Sequence, residues 1–437
     1  MNAPIVFRRM AAAWIVLVVL GAGSARADVT FIVNTVLDLA DDNTNDGLCH
    51  TSAGTCSLRA AITQANHWSN PEYAIINLPA GNYVLSIPVP FGAVDDEAVG
   101  DLNLTTALIA GQRIVILGQS AASTIIDANH VGSVFAIAQG RPATISHVTI
   151  RGGNSPFSGG GIRNEGDLTL FRSIVENNTA HTYGGGIDNF QGALLVKSST
   201  IRSNDAHEGG GIDTFGIGNR VEILASTVSD NHAYQGGGIY NDGDQLFVVN
   251  STVSANTADD NGGGIYSRIA TFIYNSTIVD NDADDDHDQT GGSGGGIYAE
   301  SGSRSLVVNS LIAANYATGY VNENDCQGIL EVYGWNLFGD DGAFCSFSGN
   351  GASSHGLITP STIGPLQDNG GSTWTHALLP GSQAIDSTYD NLGCVDENLT
   401  PLPDDQRGGS RPFGVRCDVG AYEYGAVTDR IFSNGFE

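Results

Sequence analysis

A glycine-rich tetrapeptide, Gly-Gly-Gly-Ile, recurs through the middle of this chain and constrains its fold more than any other feature. The first five copies lie 25 to 27 residues apart, and the sixth follows a longer insertion. The isoleucines of the six copies are Ile162, Ile187, Ile212, Ile239, Ile265 and Ile297. A repeat of this length is one supersecondary unit, which buries its apolar face by stacking on its neighbours. The sequence therefore predicts a solenoid, in which each repeat column becomes a stripe along the molecule.

Every copy is followed by a segment that closes on an asparagine, and alignment on this residue reveals two apolar columns. The closing residues are Asn178, Asn204, Asn231, Asn256, Asn281 and Asn315. Three residues earlier stand Val175, Ile201, Val228, Val253, Ile278 and Ile312, and eight earlier stand Leu170, Val196, Ile223, Val248, Ile273 and Val307. Short β-branched segments bounded by Gly, Asn and Ser are typical of strands. About three such strands in each coil predict a parallel β-helix, with the asparagine amides stacked as a ladder at one corner.

Two further columns of the repeat point outward and yet are mostly apolar. Seven residues before the closing asparagine stand Phe171, Lys197, Leu224, Val249, Tyr274 and Val308, and nine before it stand Thr169, Leu195, Glu222, Phe247, Phe272 and Leu306. Strands that are apolar on both faces are covered on both faces. We expect the C-terminal part of the chain to supply this cover, because large exposed apolar patches are uncommon on soluble monomers. Cover by a partner protein is the alternative.

The first 27 residues have the pattern of a secretory signal peptide. Arg8 and Arg9 precede an apolar run, and Ala25-Arg26-Ala27 is a small-residue cleavage site, so the mature chain is expected to begin at Asp28. No later stretch is apolar enough to cross a bilayer as a helix. These features predict a secreted or outer-surface protein with no transmembrane span in the mature chain.

The charge balance and the cysteines fit the same location. The chain has 47 acidic and 18 basic residues, a formal net charge of −29, which opposes binding to nucleic acid. Its six cysteines are an even number, as expected of disulfides formed in an oxidising compartment. Many pairings are open from the sequence. The simplest joins sequence neighbours, as Cys49–Cys56, Cys326–Cys345 and Cys394–Cys417.

Composition and pattern divide the chain into five predicted parts. A short helix beginning after Ser57, a natural N-cap residue, is expected to plug the first coil. The region after the last repeat is rich in Gly, Asp and turn residues and holds four of the six cysteines. The parts are a signal peptide (1–27), an N-terminal cap (28–70), the parallel β-helix (71–319), a C-terminal coil and cap (320–425) and a tail (426–437).

Three motifs carry a resemblance to known families. Cys56-Ser57-Leu58-Arg59-Ala60-Ala61-Ile62 resembles the CSLREA motif, although Ala60 stands where Glu is usual. Residues 365 to 423 resemble the choice-of-anchor Q domain, in runs that include Asp405-Gln406-Arg407-Gly408 and Asp418-Val419-Gly420-Ala421-Tyr422-Glu423. The Gly-Gly-Gly-Ile coils are similar to the polymorphic outer-membrane protein repeat and to the wider pectin-lyase-like superfamily. The resemblance implies an exported bacterial protein with an all-β, right-handed parallel β-helix, and it implies no general catalytic role.

The residue directly after each repeat isoleucine forms the candidate functional column. It reads Arg163, Asp188, Asp213, Tyr240, Tyr266 and Tyr298. Neighbours in such a column lie about 4.8 Å apart, so Asp188 and Asp213 are expected to be adjacent carboxylates, with Glu208 close by. Adjacent carboxylates bind calcium or act as acid and base at a glycosidic bond. The tyrosines form an aromatic ladder suited to stacking on sugar rings. A solvated column with a stabilising tyrosine stack is the alternative.

An acidic loop after Asn281 is a second candidate site. Its alternating carboxylates, among them Asp282, Asp284 and Asp286, suit oxygen ligation of calcium, although the loop does not continue to a bidentate Glu as an EF-hand does. A solvated insertion is the alternative. No other cofactor is indicated, since the sequence contains no phosphate loop, nucleotide fingerprint or Ser/His/Asp motif.

Two functions remain open from the sequence. The first is a non-catalytic exported β-helix that binds or adheres to a polysaccharide or cell-surface glycan. The second is a pectate-lyase-like polysaccharide lyase or a glycoside hydrolase that uses Asp188 and Asp213. Lys197, the only lysine, occupies an outward column filled elsewhere by apolar residues, which argues against it as a lyase base. The regular repeats favour the first function.

Overall fold

The structure is a computed structural model that describes residues 28–68, 73–89, 96–105, 111–284, 292–317, 324–339, 345–349, 355–388 and 393–428. The predicted signal peptide, Asp286 and the end of the predicted tail lie outside the described residues. Within those residues the chain consists almost entirely of short strands, because its β-branched segments are interrupted every few residues by Gly, Asn and Ser.

The described elements follow one another in coils. Before the first Gly-Gly-Gly-Ile copy they are β1 (Val29–Ile32), α1 (Leu58–His67), β2 (Tyr73–Leu78), β3 (Gly81–Val84), β4 (Leu102–Leu104), β5 (Arg113–Gly118), β6 (Thr124–Asp127), β7 (Phe135–Ile137), β8 (Pro142–Ser146), β9 (Thr149–Arg151) and β10 (Asn154–Ser155). In the repeats they are β11 (Ile162–Asn164), β12 (Asp167–Phe171), β13 (Ile174–Glu176), β14 (Thr179–Ala180), β15 (Ile187–Phe190), β16 (Ala193–Lys197), β17 (Thr200–Arg202), β18 (Asp205–Glu208), β19 (Ile212–Leu224), β20 (Thr227–Ser229), β21 (His232–Gln235), β22 (Ile239–Val249), β23 (Thr252–Ser254), β24 (Thr257–Ala258), β25 (Ile265–Ser267), β26 (Ala270–Tyr274), β27 (Thr277–Val279), β28 (Asp282–Ala283), β29 (Ile297–Ala299), β30 (Arg304–Val308), β31 (Leu311–Ala313) and β32 (Tyr316–Ala317). After them come β33 (Cys326–Tyr333), β34 (Asn336–Phe338), β35 (Cys345–Gly349), β36 (His355–Leu357), a 3-10 helix (Pro360–Thr362), β37 (Ile363–Gln367) and β38 (Thr375–Leu378).

Three long parallel sheets wind around one apolar core. In the described residues they contain 18, 11 and 7 strands, and β37 and β38 form a separate antiparallel pair. The repeat isoleucines lie in register, as Ile187 with Ile212 and Ile212 with Ile239, and their side chains are fully buried. The predicted parallel β-helix is confirmed. Parallel pairing continues through β36, so the last coils lie within the segment assigned to the C-terminal coil and cap.

The closing asparagines form the predicted amide ladder at one corner. Asn204 Nδ2 donates to Asn231 Oδ1 at 3.0 Å, and Asn231 Nδ2 also donates to the Ile201 carbonyl of the preceding coil at 3.0 Å. The ladder ends on a carboxylate, where Asn315 Nδ2 donates to Asp325 Oδ1 at 2.9 Å. These amides satisfy backbone groups that the tight corner would otherwise leave buried and unpaired.

The N-terminal end of the β-helix is covered by α1. Ser57 Oγ accepts a hydrogen bond from the Ala60 amide at 3.0 Å, which caps the helix without a reciprocal bond from residue 60. Arg59 is buried and forms an ion pair with Asp38 at 2.7 Å. The apolar side chains of α1 belong to the same core as β2 and β4, so the helix closes that core against solvent.

The C-terminal part of the chain covers the outward apolar columns. Phe247, Phe272 and Tyr274 form a buried cluster that packs against Leu402. On the adjoining sheet face, Gln406 Nε2 donates to Thr227 Oγ1 at 2.9 Å, and Gln406 Oε1 accepts from Thr252 Oγ1 at 2.6 Å. The predicted intramolecular cover is confirmed for these coils, because apolar side chains that would otherwise face water are removed from it.

Disulfides and buried ion pairs stabilise each end of the molecule separately. Within the C-terminal part, Arg411 pairs with Glu423 at 3.2 Å and Arg407 with Asp405 at 2.5 Å, and all four side chains are buried. The structure pairs the cysteines in the predicted way, as Cys49–Cys56, Cys326–Cys345 and Cys394–Cys417.

Candidate functional site

The candidate column runs in register along the outer face of the largest sheet. Arg163 pairs with Asp188, Asp188 with Asp213, and Asp213 with Tyr240 across successive coils. The two aspartates are therefore nearest neighbours, about 4.8 Å apart at the backbone. Each side chain is only 4% exposed, although it lies outside the apolar core. A solvated column would leave these carboxylates in water, so the segments that flank the sheet must shield them.

These segments turn the column into a groove of ≈ 1000 Å³. One wall is the strand face that carries Asp188 and Asp213. The groove is also lined by Glu208 at the end of β18, and by Phe157 and Tyr183 in the segments that lead into the glycine triplets. Glu208 thus lines the groove with the two aspartates, and the structure brings together all three candidate acidic residues.

Four aromatic side chains in the groove remain partly open to solvent. Phe157 is 74% exposed, and Tyr183 is also exposed. Phe190 and Phe215 lie on neighbouring coils and stack on each other, with ring centroids 5.5 Å apart and planes 9° from parallel. Exposed rings beside buried polar groups are typical of a ligand-binding surface, because the part of each ring that faces water has no apolar partner within the chain.

Two of these rings stand in a second column of the repeat, which was not among the predicted site residues. Phe190 and Phe215 each stand three residues after a repeat isoleucine, and strand alternation places that position on the same outward face as the candidate column. This second column reads Glu165, Phe190, Phe215, Asp242, Arg268 and Glu300. Tyr183 stands directly before its glycine triplet and pairs with Ser158 and Glu208 on the neighbouring coils, but the sequence does not show that this column faces the groove.

Burial shifts the protonation of the acidic residues in the groove. It raises the pKa of Asp188 to about 7, and the nearby Arg163 guanidinium only partly opposes this shift. The pKa of Asp213 lies well above its ordinary value, first because the side chain is buried and second because Asp188 and Glu208 are close. Burial also raises the pKa of Glu208. Near neutral pH the pair therefore holds protons that ordinary carboxylates would have lost.

The two arginines of the groove are already engaged by other carboxylates. Arg163 forms an ion pair with Glu165. Arg268 donates to Asp242 at 2.8 Å and to Glu300 at 2.9 Å, and it also hydrogen-bonds Tyr240. By contrast, no side-chain hydrogen bond to Asp188 or Asp213 is present within the described part of the chain.

The three tyrosines form a continuous stack. The ring centroids of Tyr240 and Tyr266 are 4.9 Å apart, and those of Tyr266 and Tyr298 are 4.8 Å apart. Tyr240 and Tyr266 are buried, and of the three only Tyr240 lines the groove. The facing ring surfaces are occupied by one another, so stacking on a sugar by the inner rings would require the ladder to open.

The second candidate site is only partly described. Asp282 lies in β28 and Asp284 directly follows that strand, while Asp286 lies outside the described residues. Among the residues that the structure does describe, no group of three or more His, Cys, Asp or Glu side chains is arranged to hold a metal ion. Calcium binding by this loop therefore stays a prediction.

Comparisons with known proteins agree with the architecture. The family model of the Chlamydia polymorphic membrane protein repeat matches residues 250–268. The solved structure of pectate lyase Pel9A superimposes with a TM-score of 0.53 and 13% sequence identity, over 91% of this chain and 98% of that one. No curated protein matches at a significant level. At this identity the likeness concerns the fold alone, which is a parallel β-helix. No helix in the described residues is long and apolar enough to cross a membrane.

Proposed function

We propose that this chain is an exported β-helix protein that binds a glycan in the groove over Asp188 and Asp213. The observation that carries the proposal is the set of solvent-exposed rings, Phe157, Phe190 and Phe215, beside buried carboxylates in one elongated groove. Sugar rings present apolar faces and polar edges. Aromatic faces complement the first, and carboxyl groups complement the second.

Export and surface retention belong to the same proposal. The predicted signal peptide and the three disulfides support an oxidising, extracellular location. Residues 28–70 and 320–425 would serve as the caps of the β-helix. The similarity of these two parts to the CSLREA motif and the choice-of-anchor Q domain supports attachment at the cell surface. We propose a binding or adhesion role there.

Removal of the stacked phenylalanines should weaken glycan binding. In a Phe190→Ala/Phe215→Ala variant, we expect affinity for the glycans that the wild type binds to fall at least about 10-fold, because the apolar sugar face loses its partner. A glycan array followed by titration calorimetry on the hits measures this effect. Phe413→Ala is the matched control, since Phe413 is exposed in the C-terminal part and does not line the groove. Wild-type protein that binds no glycan, or equal losses in the two variants, would refute the proposal.

A catalytic function of the same groove is the second candidate, and the Asp188/Asp213 pair favours it. Retaining glycoside hydrolases use two neighbouring carboxyl groups, one of which protonates the leaving oxygen while the other is the nucleophile. Asp188 and Asp213, on adjacent strands and with raised pKa values, would fill these two roles. Elimination by a lyase fits less well, because Arg163 and Arg268, the basic residues of the groove, are paired with carboxylates.

Turnover of a glycan would depend on both aspartates. We expect each of Asp188→Asn and Asp213→Asn to lower kcat at least about 100-fold, since a positioned acid or base contributes about that much. Reducing-end release and absorbance at unsaturated products distinguish hydrolysis from elimination. Asp167→Asn is the control, because Asp167 lies at a solvent-exposed position of the same sheet and does not line the groove. If purified wild-type protein turns over none of a panel of neutral, basic and acidic polysaccharides, with or without calcium, the binding role stands alone.

A further inference from the structure

The charges of the groove constrain which glycan it accepts. A polymer of uronic acids presents one carboxylate per sugar, and such groups need arginine or lysine partners, or a bound cation. The groove offers Arg163 and Arg268, and each already pairs with at least one carboxylate of the chain. Its described lining also includes Asp188, Glu208 and Asp213. The carboxylates of the groove would therefore repel an acidic glycan, and neither arginine is free to form an ion pair with it.

The same lining is suited to a positively charged group. Asp188 and Asp213 are more than nine-tenths buried, face the groove and form no side-chain hydrogen bond within the described residues. Buried polar side chains nearly always have a hydrogen-bond partner. A primary ammonium has three donors and no acceptor, so one such group between neighbouring strands can donate to both carboxylates. Charge-assisted bonds of this kind, at about 2.8 Å, are among the strongest that proteins form.

We propose that the groove recognises a glycan that carries primary amino groups, with one ammonium held between Asp188 and Asp213 and the adjoining sugar ring against Phe190 and Phe215. This inference rests on the proposed glycan-binding function and deepens it, since it names an amino-sugar polymer as the ligand class. It also distinguishes the groove from one built for polyuronates.

Binding of an ammonium has a measurable consequence for protons. In the empty groove, below neutral pH, burial keeps Asp188 and Asp213 largely protonated. An ammonium between them favours the ionised form and lowers both pKa values, so the protein should release protons when the complex forms. Burial also raises the pKa of Glu208, so the same ammonium favours ionisation of that carboxyl. The other ionisable groups around the pair are Asp101, Arg163, Glu165, Tyr183, Tyr240, Asp242 and Arg268.

The test is titration calorimetry of the full mature chain with three oligosaccharides of equal length, at physiological salt and at a mildly acidic pH where the sugar amino groups are charged. They are a glucosamine oligomer, its N-acetylated counterpart and an oligogalacturonate. We expect the glucosamine oligomer to bind at least about 10-fold more tightly than the other two. Its binding heat should depend on the ionisation enthalpy of the buffer, because the protein releases protons on binding.

An Asp188→Asn/Asp213→Asn variant separates the site from general attraction to an acidic protein of net charge −29. It keeps most of that charge and the aromatic rings, so we expect it to lose the preference and the proton release while it retains weak binding of the N-acetylated oligomer. Equal or tighter binding of the N-acetylated or galacturonate oligomer by wild-type protein would overturn the inference but not the proposed function. Binding of none of the three, with no hit on the array, would overturn both.

Discussion

Gly210→Ala should destabilise the β-helix by about 3 kcal/mol or more. Gly210 is the second glycine of its triplet, and a Cβ built there would lie 2.1 Å from the His232 carbonyl oxygen and 2.6 Å from the Gly237 carbonyl oxygen. Both contacts are with backbone of the next coil, so no side chain can rotate away. The coils would have to separate locally, which breaks their parallel hydrogen bonds. Urea unfolding followed by circular dichroism measures the loss.

A second glycine provides the control. Gly140 has a φ of +72°, and no atom lies within 4 Å of a Cβ built there. Gly140→Ala therefore tests backbone conformation alone, which costs about 1 kcal/mol. If the two substitutions destabilise the protein equally, close packing of coils does not explain the triple glycine.

Arg411→Met should loosen the C-terminal cover and cost about 3 to 5 kcal/mol of unfolding free energy. Arg411 is fully buried, pairs with Glu423 and donates to Asn250 Oδ1 on the β-helix at 3.0 Å. It also donates to the carbonyls of Asp418 at 2.7 Å and Gly420 at 2.6 Å. Methionine fills a similar volume, but it leaves the buried Glu423 carboxylate without its cation and two carbonyls without this donor. A buried group that loses its partner costs more than a lost surface hydrogen bond.

Two measurements report whether the C-terminal cover is loosened in this variant. A loosened cover exposes Phe247, Phe272 and Tyr274, so we expect stronger fluorescence of a hydrophobic dye and faster proteolysis after residue 393. Arg416→Met, at an exposed arginine of the same segment, should change neither. Unaltered stability and dye binding in Arg411→Met would show that the cover is held by other contacts.

Strand register explains which parts of the site were predictable. A parallel β-helix repeats one residue column per coil, so the adjacency of Asp188 and Asp213 followed from alignment of their repeats alone. The amide ladder and the inward apolar columns followed for the same reason. Alignment of the repeats also places Phe190 and Phe215 next to each other. It does not show whether their rings face water or lie under a covering segment.

The burial of the aspartates was not predictable, because it depends on how closely other segments of each coil approach the sheet. Phe157 and Tyr183 lie in the segments before the glycine triplets, and the sequence does not show that these segments line the same groove as the aspartates. Burial in the folded chain raises the pKa of Asp213. The pairing of Arg268 with Asp242 and Glu300, by contrast, follows from alignment, because the three residues stand in one column on successive coils.

The sequence by itself determined the solenoid, its parallel strands and the order of side chains along each stripe, because these are local properties repeated in every coil. Only the tertiary structure decided that the C-terminal part covers one outward face and that another stays open as a groove. Which face is covered depends on contacts between residues far apart in the chain, such as Asn250 and Arg411. No single repeat encodes such contacts.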